Sequence, residues 1–455
     1  MIIAGWTGPF QRSYYYYCVL IMLLFVSCLV VLTMAKKEPR QHAAPMAGIP
    51  WDDFNFSLNG VQTDAMWLQK CTTTKEGDTT SFPLMMDNNN NNNNNKNNHH
   101  SCLQPFADIA LSPAATVLNY GQGLFEGLKA FRRPTDGSIV LFRPTDNALR
   151  MADGARRFRL PTVPTETFRT AVHAVVRANA RWIPPAGKGA LYLRPLLYGS
   201  GAGLGVKPST EATFVVYASP VGNYFPTTST DITTSTIIRL QIVQGYARAA
   251  RGGSGSVKAI GNYAPAFLVQ QQVRARGFDE VLCVDDTDDN CLEEAGASNL
   301  FLVLPNNTLV TPPLTSGTIL PGITRQSIIE LARRECGCTV VERPIRLLSE
   351  QQNNDLSQAC EAFCCGTGAV ITPVSCISVF DGEKETARYT FGGSGNNNNN
   401  NHHNDDLATS ERTPESPKAG QLTRRLYKLL TGIQSGTCDP EVAERYKHWI
   451  DIVEP

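Results

Sequence analysis

Leu292-Glu293-Glu294-Ala295-Gly296-Ala297-Ser298-Asn299-Leu300-Phe301, followed nineteen residues on by Leu320-Pro321-Gly322-Ile323-Thr324-Arg325, is the part of this chain whose reading decides its fold. Two adjacent carboxylates enter a turn of small residues and lead into an apolar strand pattern, NLFLVL. Taken alone, such a pair reads as an exposed loop. The second segment places Pro321 and Gly322 ahead of a helical pattern, TRQSIIELARR. Free N–H groups at that helix start, with the Thr324 hydroxyl, suit a phosphate. Gly366-Thr367-Gly368-Ala369 predicts another tight turn with exposed backbone donors.

Upstream of these segments, the chain between residues 208 and 383 contains a single lysine, Lys258. A lone lysine is ordinarily a solvated side chain. This one follows the turn Gly252-Gly253-Ser254-Gly255-Ser256 and precedes Asn262-Tyr263, so little side chain crowds its amine. A lysine held in that way can be desolvated, and its neutral amine can form a Schiff base with an aldehyde. An amine, a carboxylate and a phosphate cradle are together what pyridoxal 5'-phosphate requires.

The remaining sequence divides into ordered and non-core parts. With 455 residues and 42% apolar composition the chain is globular and long enough for two or three domains. Lys plus Arg and Asp plus Glu both total 41, so no basic excess is available for a nucleic-acid backbone. Residues 18–35, CVLIMLLFVSCLVVLTMA, form an apolar run followed by Lys36, Lys37 and Arg40. Residues 1–45 therefore read as a leader: a signal, an organelle-targeting segment or an anchor, and the sole membrane contact the sequence offers. Asparagine tracts within 87–101 and 394–418 cannot bury apolar area and are expected to be disordered inserts. Four of the seven histidines lie in those tracts, which leaves His42, His173 and His448 without metal-ligand spacing; no metal site is expected. The thirteen cysteines form no framework and suit a reducing compartment.

About 340 residues remain, predicted as two domains, 51–222 and 236–455. Strands are expected at SIVLFR, ALYLRPL and TFVVYAS in the first and at TIIRLQIV, EVLCVD and NLFLVL in the second. Helices are expected over 166–182 and 264–276. Mixed strands and helices with hairpin turns such as Asn306-Asn307 argue for an α+β class.

The run from Glu294 through Asn299-Leu300-Phe301, Leu309, Thr311 and Leu320 to Arg325 resembles the signature of the class IV aminotransferases, the fold type IV pyridoxal phosphate enzymes. Within that class LNYGQGLFEGLKAF (118–131), LYLRPLLYGSG, YASPVGNYF and KAIGNYAPAFL are similar to branched-chain amino acid aminotransferases, the plant and eukaryotic type in particular. The resemblance spans about residues 51–387, apart from the first asparagine tract, and resumes at LYKLLTGIQSG. It implies a two-domain α+β fold, a smaller N-terminal α/β domain and a larger C-terminal pseudo-barrel. It also implies a homodimer whose sites are completed by a second subunit, located in a mitochondrion or plastid. The implied reaction moves the amino group of L-leucine, L-isoleucine or L-valine to 2-oxoglutarate.

By the same resemblance Lys258 would carry the cofactor and move the proton, with Glu294 on the ring nitrogen and Glu293 as a solvated neighbour. Tyr263 would bond the cofactor's phenolate oxygen. Arg143, Ile323, Thr324 and Thr367 would hold its phosphate. Tyr120, Phe125, Tyr192, Arg194, Thr367 and Gly368 would line the substrate site, Arg194 accepting the second carboxylate of 2-oxoglutarate. Alternatives within the fold are a D-amino acid aminotransferase or an aminodeoxychorismate lyase; another is a membrane-tethered, non-catalytic cofactor-binding relative. Ala369 and Thr372 stand where vertebrate mitochondrial members carry a Cys-x-x-Cys pair, so that redox control is not expected.

Overall fold

A computed structural model describes residues 42–51, 61–72, 82, 102–222, 237–285, 287, 291–347, 355–392 and 419–455. The apolar run 18–35 and both asparagine tracts lie outside the described residues. The segment Ala43–Glu454 forms one compact unit built on two sheets. Among the described residues no helix is long and apolar enough to cross a membrane.

The first sheet is antiparallel throughout. Its strand order is Ile450–Val453, Ile139–Phe142, Leu128–Arg132, Ala190–Gly199, Glu211–Val221, Ala65–Thr72 and Leu103–Pro105, with Gly123–Phe125 also paired to Ala190–Gly199. Apolar residues spaced for one helical face, Phe168, Ala171, Val172, Val175 and Val176, bury the helix Thr165–Ala178 in the core of this half with Leu191, Leu193 and Phe214. The last strand, Ile450–Val453, pairs with Ile139–Phe142. The C-terminus of the 236–455 segment thus joins the first sheet, where Val453 packs in the core of that half, while Ile450 packs against the cluster that holds Phe142 and the helices of the second half.

The second sheet closes on itself. Leu292–Ala295 pairs with Glu280–Val284, which continues through Ile238–Val243, Val370–Asp381, Glu361–Gly366 and Ser298–Leu304 back to Leu292–Ala295, a six-stranded barrel. NLFLVL is apolar on both faces because both are covered. Leu300 and Leu302 pack with Ile238, Leu240 and Leu282, while Phe301 and Val303 pack with the helices Ile323–Glu335 and Gln421–Ser435. Asn306 and Asn307 turn the chain with left-handed backbone, φ 60° and 56°, a conformation asparagine tolerates.

Candidate active site

The lysine-bearing loop bridges the two sheets. Phe125 N donates to Lys258 O at 3.1 Å and Leu124 pairs with Ala259, so the backbone at Lys258 is pinned to the strand Gly123–Phe125. Lys258 Nζ donates to Tyr263 Oη at 3.1 Å and lies 4.5 Å from the centre of the Phe125 ring. Burial, reinforced by the positive charges of Arg150 and Arg194, lowers its pKa to about 7, with Glu126 and Glu294 opposing. Glu126 is fully buried and receives Arg150 at 2.8 and 2.6 Å; the third arm of that guanidinium donates to Pro321 O at 3.0 Å.

Glu294 stands opposite Asn299 in the hairpin register. Its Oε2 accepts from Asn299 Nδ2 at 3.1 Å, and its Oε1 accepts from Leu320 N–H at 3.2 Å. Arg248 Nη2 completes the set with an ion pair to Oε1 at 2.5 Å. Burial raises the carboxyl to about 7 while Arg248 draws it down. Glu293 is not the solvated neighbour expected from the sequence. It is 2% exposed, because the strand Leu292–Ala295 is covered on both faces, and desolvation raises its pKa.

The helix Ile323–Glu335 starts at Gly322 with no side-chain cap and no acidic residue in its first turn. Gly322 is required there, since a Cβ would collide with Asn299 Oδ1. Ile323 and Thr324 face a small cavity of about 20 Å³ that Gly366, Thr367 and Lys129 also line. Arg143 does not line it. Its guanidinium reaches Ser327 and Gln326 in the first turns of the same helix, at 2.8 and 2.9 Å, and holds Asp146 at 2.8 and 3.0 Å.

On the opposite wall, Arg194 Nη2 donates to Tyr192 Oη at 3.1 Å and its guanidinium lies 4.5 Å from the Phe125 ring centre. Phe125 in turn meets Tyr263 at 5.0 Å between ring centres. Among the described residues Arg194 has no carboxylate partner, and its Nε is buried without a hydrogen bond. The Thr367–Gly368 turn is tied to the first sheet by Lys129, whose Nζ donates to Gly368 O at 3.0 Å; burial lowers this lysine to about 8. Tyr120 stands apart from these groups. It ends the short helix Thr116–Tyr120 and is 44% exposed; Leu118 on the same helix is exposed as well, as are Leu204 and Val206 in the loop whose Ala202 pairs with Ala115.

Lys258, Tyr263, Phe125, Tyr192, Arg194 and Glu294 therefore form one cluster, with the helix start at Ile323 and the Thr367 turn beside it. Arg248, Lys129 and the Glu126–Arg150 pair were not singled out from the sequence. Glu126 and Lys129 sit in the quoted LNYGQGLFEGLKAF, where a charge within an apolar run is the available signal, Glu126 just before and Lys129 inside the strand Leu128–Arg132; Arg248 has none beyond an arginine-rich stretch. Among the described residues no group of His, Cys, Asp and Glu is placed to hold a metal.

Comparison with known proteins adds independent observations. The sequence model for amino-transferase class IV matches residues 123–377. Branched-chain amino acid aminotransferase 2, chloroplastic, of Humulus lupulus is 42% identical over 407 residues, 90% of this chain and 83% of that protein. Branched-chain-amino-acid aminotransferase 1, mitochondrial, of Arabidopsis thaliana is 38% identical over 89% of this chain and 86% of that protein. The crystal structure of the Escherichia coli branched-chain amino acid aminotransferase superposes with a TM-score of 0.60 at 24% identity, covering 86% of this chain and all of that one, a likeness of fold.

Proposed function

The chain belongs to the amino-transferase class IV family, and from that premise we propose that it transfers the amino group of a branched-chain L-amino acid to 2-oxoglutarate, using pyridoxal 5'-phosphate attached at Lys258. The observation that carries this reading is the clustering of a desolvated lysine amine with Tyr263, a buried glutamate and an uncapped helix start. Each offers the chemistry one part of that cofactor needs. The Lys258 amine, lowered to about 7, is substantially neutral at physiological pH and so nucleophilic toward an aldehyde. Glu294 is a buried acceptor for a protonated ring nitrogen, and Tyr263 is a donor for the phenolate oxygen. The amides of Ile323 and Thr324, at the positive end of a 13-residue helix, suit the phosphate, with the Thr324 and Thr367 hydroxyls beside them. Arg143 stands behind this start, its guanidinium bound to Gln326, Ser327 and Asp146, and would act by bracing the helix and by its positive charge.

When bound, pyridoxal phosphate supplies an electron sink for negative charge at the substrate Cα. Lys258 Nζ is the base that would take the proton from that carbon and hold it for return. The substrate α-carboxylate is assigned to the amides of the Thr367–Gly368 turn, which Lys129 holds in place. Phe125 and Tyr192 give the side chain an apolar wall. Arg194, without a carboxylate partner among the described residues, receives the distal carboxylate of 2-oxoglutarate, so one site takes an aliphatic chain in one half-reaction and an acidic chain in the other. Selection among leucine, isoleucine and valine should be weak, since one methylene discriminates by only about 1–3 kcal/mol.

The exposed group Leu118, Tyr120, Leu204 and Val206, joined by the pairing of Ala115 with Ala202, supports a homodimer in which Tyr120 is covered by, or contributes to, the partner's site. An organellar location is supported by the chloroplastic and mitochondrial relatives. The test is an assay of the purified protein with 2-oxoglutarate and either L-leucine or D-alanine, following glutamate and the cofactor spectrum. Glutamate formed from L-leucine but not D-alanine is expected; the reverse preference would point to a D-amino acid aminotransferase.

A further inference from the structure

Arg248 is one of the most buried cations near the site. Its side chain is 7% exposed against 5% for Glu294. It leaves the strand Ile238–Val243 in the loop that leads to Lys258 and touches three things. It pairs with Glu294 Oε1 at 2.5 Å, donates to the carbonyl of Thr318, and approaches Gly255 O at 3.5 Å. Gly255 is needed for this meeting, because a Cβ there would run into the Thr318 carbonyl. Ser256 N–H donates to Gly317 O at 3.0 Å on the same seam. One guanidinium therefore joins the lysine loop, the 317–318 edge and the buried glutamate.

We propose that Arg248 is a positioning residue for Glu294: it loads Oε1, favours the ionised carboxylate and fixes its rotation, and leaves Oε2 as the acceptor for the cofactor's ring nitrogen. This rests on the role assigned to Glu294 above. The geometry divides the two oxygens unequally. Oε1 receives Arg248 and the Leu320 amide, whereas among the described residues Oε2 receives the Asn299 amide group alone and keeps room for one more donor. The need for a cation here is set by the sequence itself. Glu293 and Glu294 are consecutive and both buried, and at Glu293 desolvation outweighs the Thr318 side chain and the positive charges of Arg248 and Arg251. Without Arg248 the adjacent carboxyl and the burial of the strand would both drive Glu294 to its neutral, protonated form. A neutral acid cannot serve as counter-ion to a protonated ring nitrogen. The charged or titratable groups interacting with Glu294 are Arg248, Lys258, Tyr263, Glu293, Cys283 and Cys365, so Arg248 is the cation that touches it directly.

The test is a double-mutant cycle on the holoenzyme and on apoenzyme reloaded with pyridoxal phosphate, using Arg248→Met, Glu294→Gln and the pair together. Cofactor affinity and the pH dependence of its visible absorbance are read alongside turnover. Arg248→Met should weaken cofactor binding roughly 100-fold, the order expected when one partner of a buried charge pair is removed. It should also move the absorbance midpoint upward by about one pH unit, because a ring nitrogen left unprotonated makes the lysine-linked nitrogen more basic. In the Glu294→Gln background the same change should cost less than about threefold, since neither buried charge then remains to be paired. Arg248→Lys should restore part of the midpoint shift. If Arg248→Met leaves affinity and midpoint unchanged, or costs the same factor with and without Glu294, the inference is overturned and Arg248 only braces the backbone at Gly255 and Thr318. The double variant removes both buried charges, so it keeps the comparison readable should Arg248→Met fail to fold. A Glu294→Gln protein with unaltered affinity and spectrum would instead remove the reading on which the inference rests.

Discussion

Two long helices of the second half begin on glycine, and their N-termini are treated in opposite ways. The helix Gln421–Ser435 starts at Gly420, and Glu361 fills the space in front of it: its carboxylate accepts from Leu422 N–H at 3.0 Å, Thr423 N–H at 2.9 Å and the Thr423 hydroxyl at 2.7 Å. A Cβ on Gly420 would collide with that carboxylate. The helix Ile323–Glu335 starts at Gly322 against the Asn299 amide, and among the described residues no carboxylate reaches its first amides. Both ends carry the same partial positive charge. Where the chain supplies its own anion the helix start is a structural joint, and where it withholds one, beside Lys258 and Glu294, the same physics is left for a ligand.

That contrast can be broken or sharpened by experiment. The largest effect belongs to the amine that gives the open end its purpose: Lys258→Ala should lower turnover with L-leucine by roughly 10⁴-fold, near the upper range for positioned acid–base groups, and remove the lysine-bound cofactor absorbance. Supplying the missing anion comes next. Thr324→Asp would place a carboxylate at the open helix start, as Glu361 does at the closed one, and cofactor affinity should fall roughly 100-fold with little change in the thermal midpoint; unchanged affinity would show that the phosphate does not use this helix. Below that lies a pH effect. With Lys258 lowered to about 7, its protonated form disappears as pH rises, so attachment of pyridoxal phosphate to apoenzyme should accelerate about tenfold per unit up to pH 7 and then level, as stopped-flow absorbance would show. An ordinary lysine would keep accelerating toward pH 10.

Arg194→Met should raise KM for 2-oxoglutarate roughly tenfold and leave that for leucine within about threefold, because a charge-assisted hydrogen bond contributes about 1.5–3 kcal/mol and only the acidic substrate makes one. The smallest effect mirrors the second. Glu361→Gln should cost about 1 kcal/mol, a few degrees in thermal midpoint, with cofactor affinity unchanged. A loss of cofactor affinity in that variant would mean that the two helix ends are coupled through the strand Glu361–Gly366, which carries Glu361 at one end and leads into the Thr367 turn at the other.

Residues whose chemistry depends on local order were legible in the sequence. Lys258 stood out because no other lysine lies between residues 208 and 383, and the helix at Ile323 because proline, glycine and an apolar period announce it. NLFLVL read as a strand because both its faces are apolar. The residues that escaped are those whose meaning arises from partners far along the chain. Arg248 acquires its role only when Glu294, 46 residues on, is folded against it, and Lys129 only when Gly368 arrives 239 residues later. Glu293 and Glu294 illustrate the limit most directly. Taken alone the adjacent carboxylates read as an exposed loop, and Glu293 as solvated even beside a ring-binding Glu294, yet the closed barrel buries both.

By itself the sequence determined the element types, the family resemblance and the chemical inventory of amine, carboxylate and phosphate donors, because periodicity, turn residues and motif spacing are local properties. Only the tertiary structure decided which charges are already paired and which are left for a ligand. Pairing depends on contacts that only folding makes between separate elements, and burial sets its strength: Glu294 is held by Arg248 and Glu126 by Arg150, while among the described residues Arg194 and the helix start at Ile323 have no carboxylate partner.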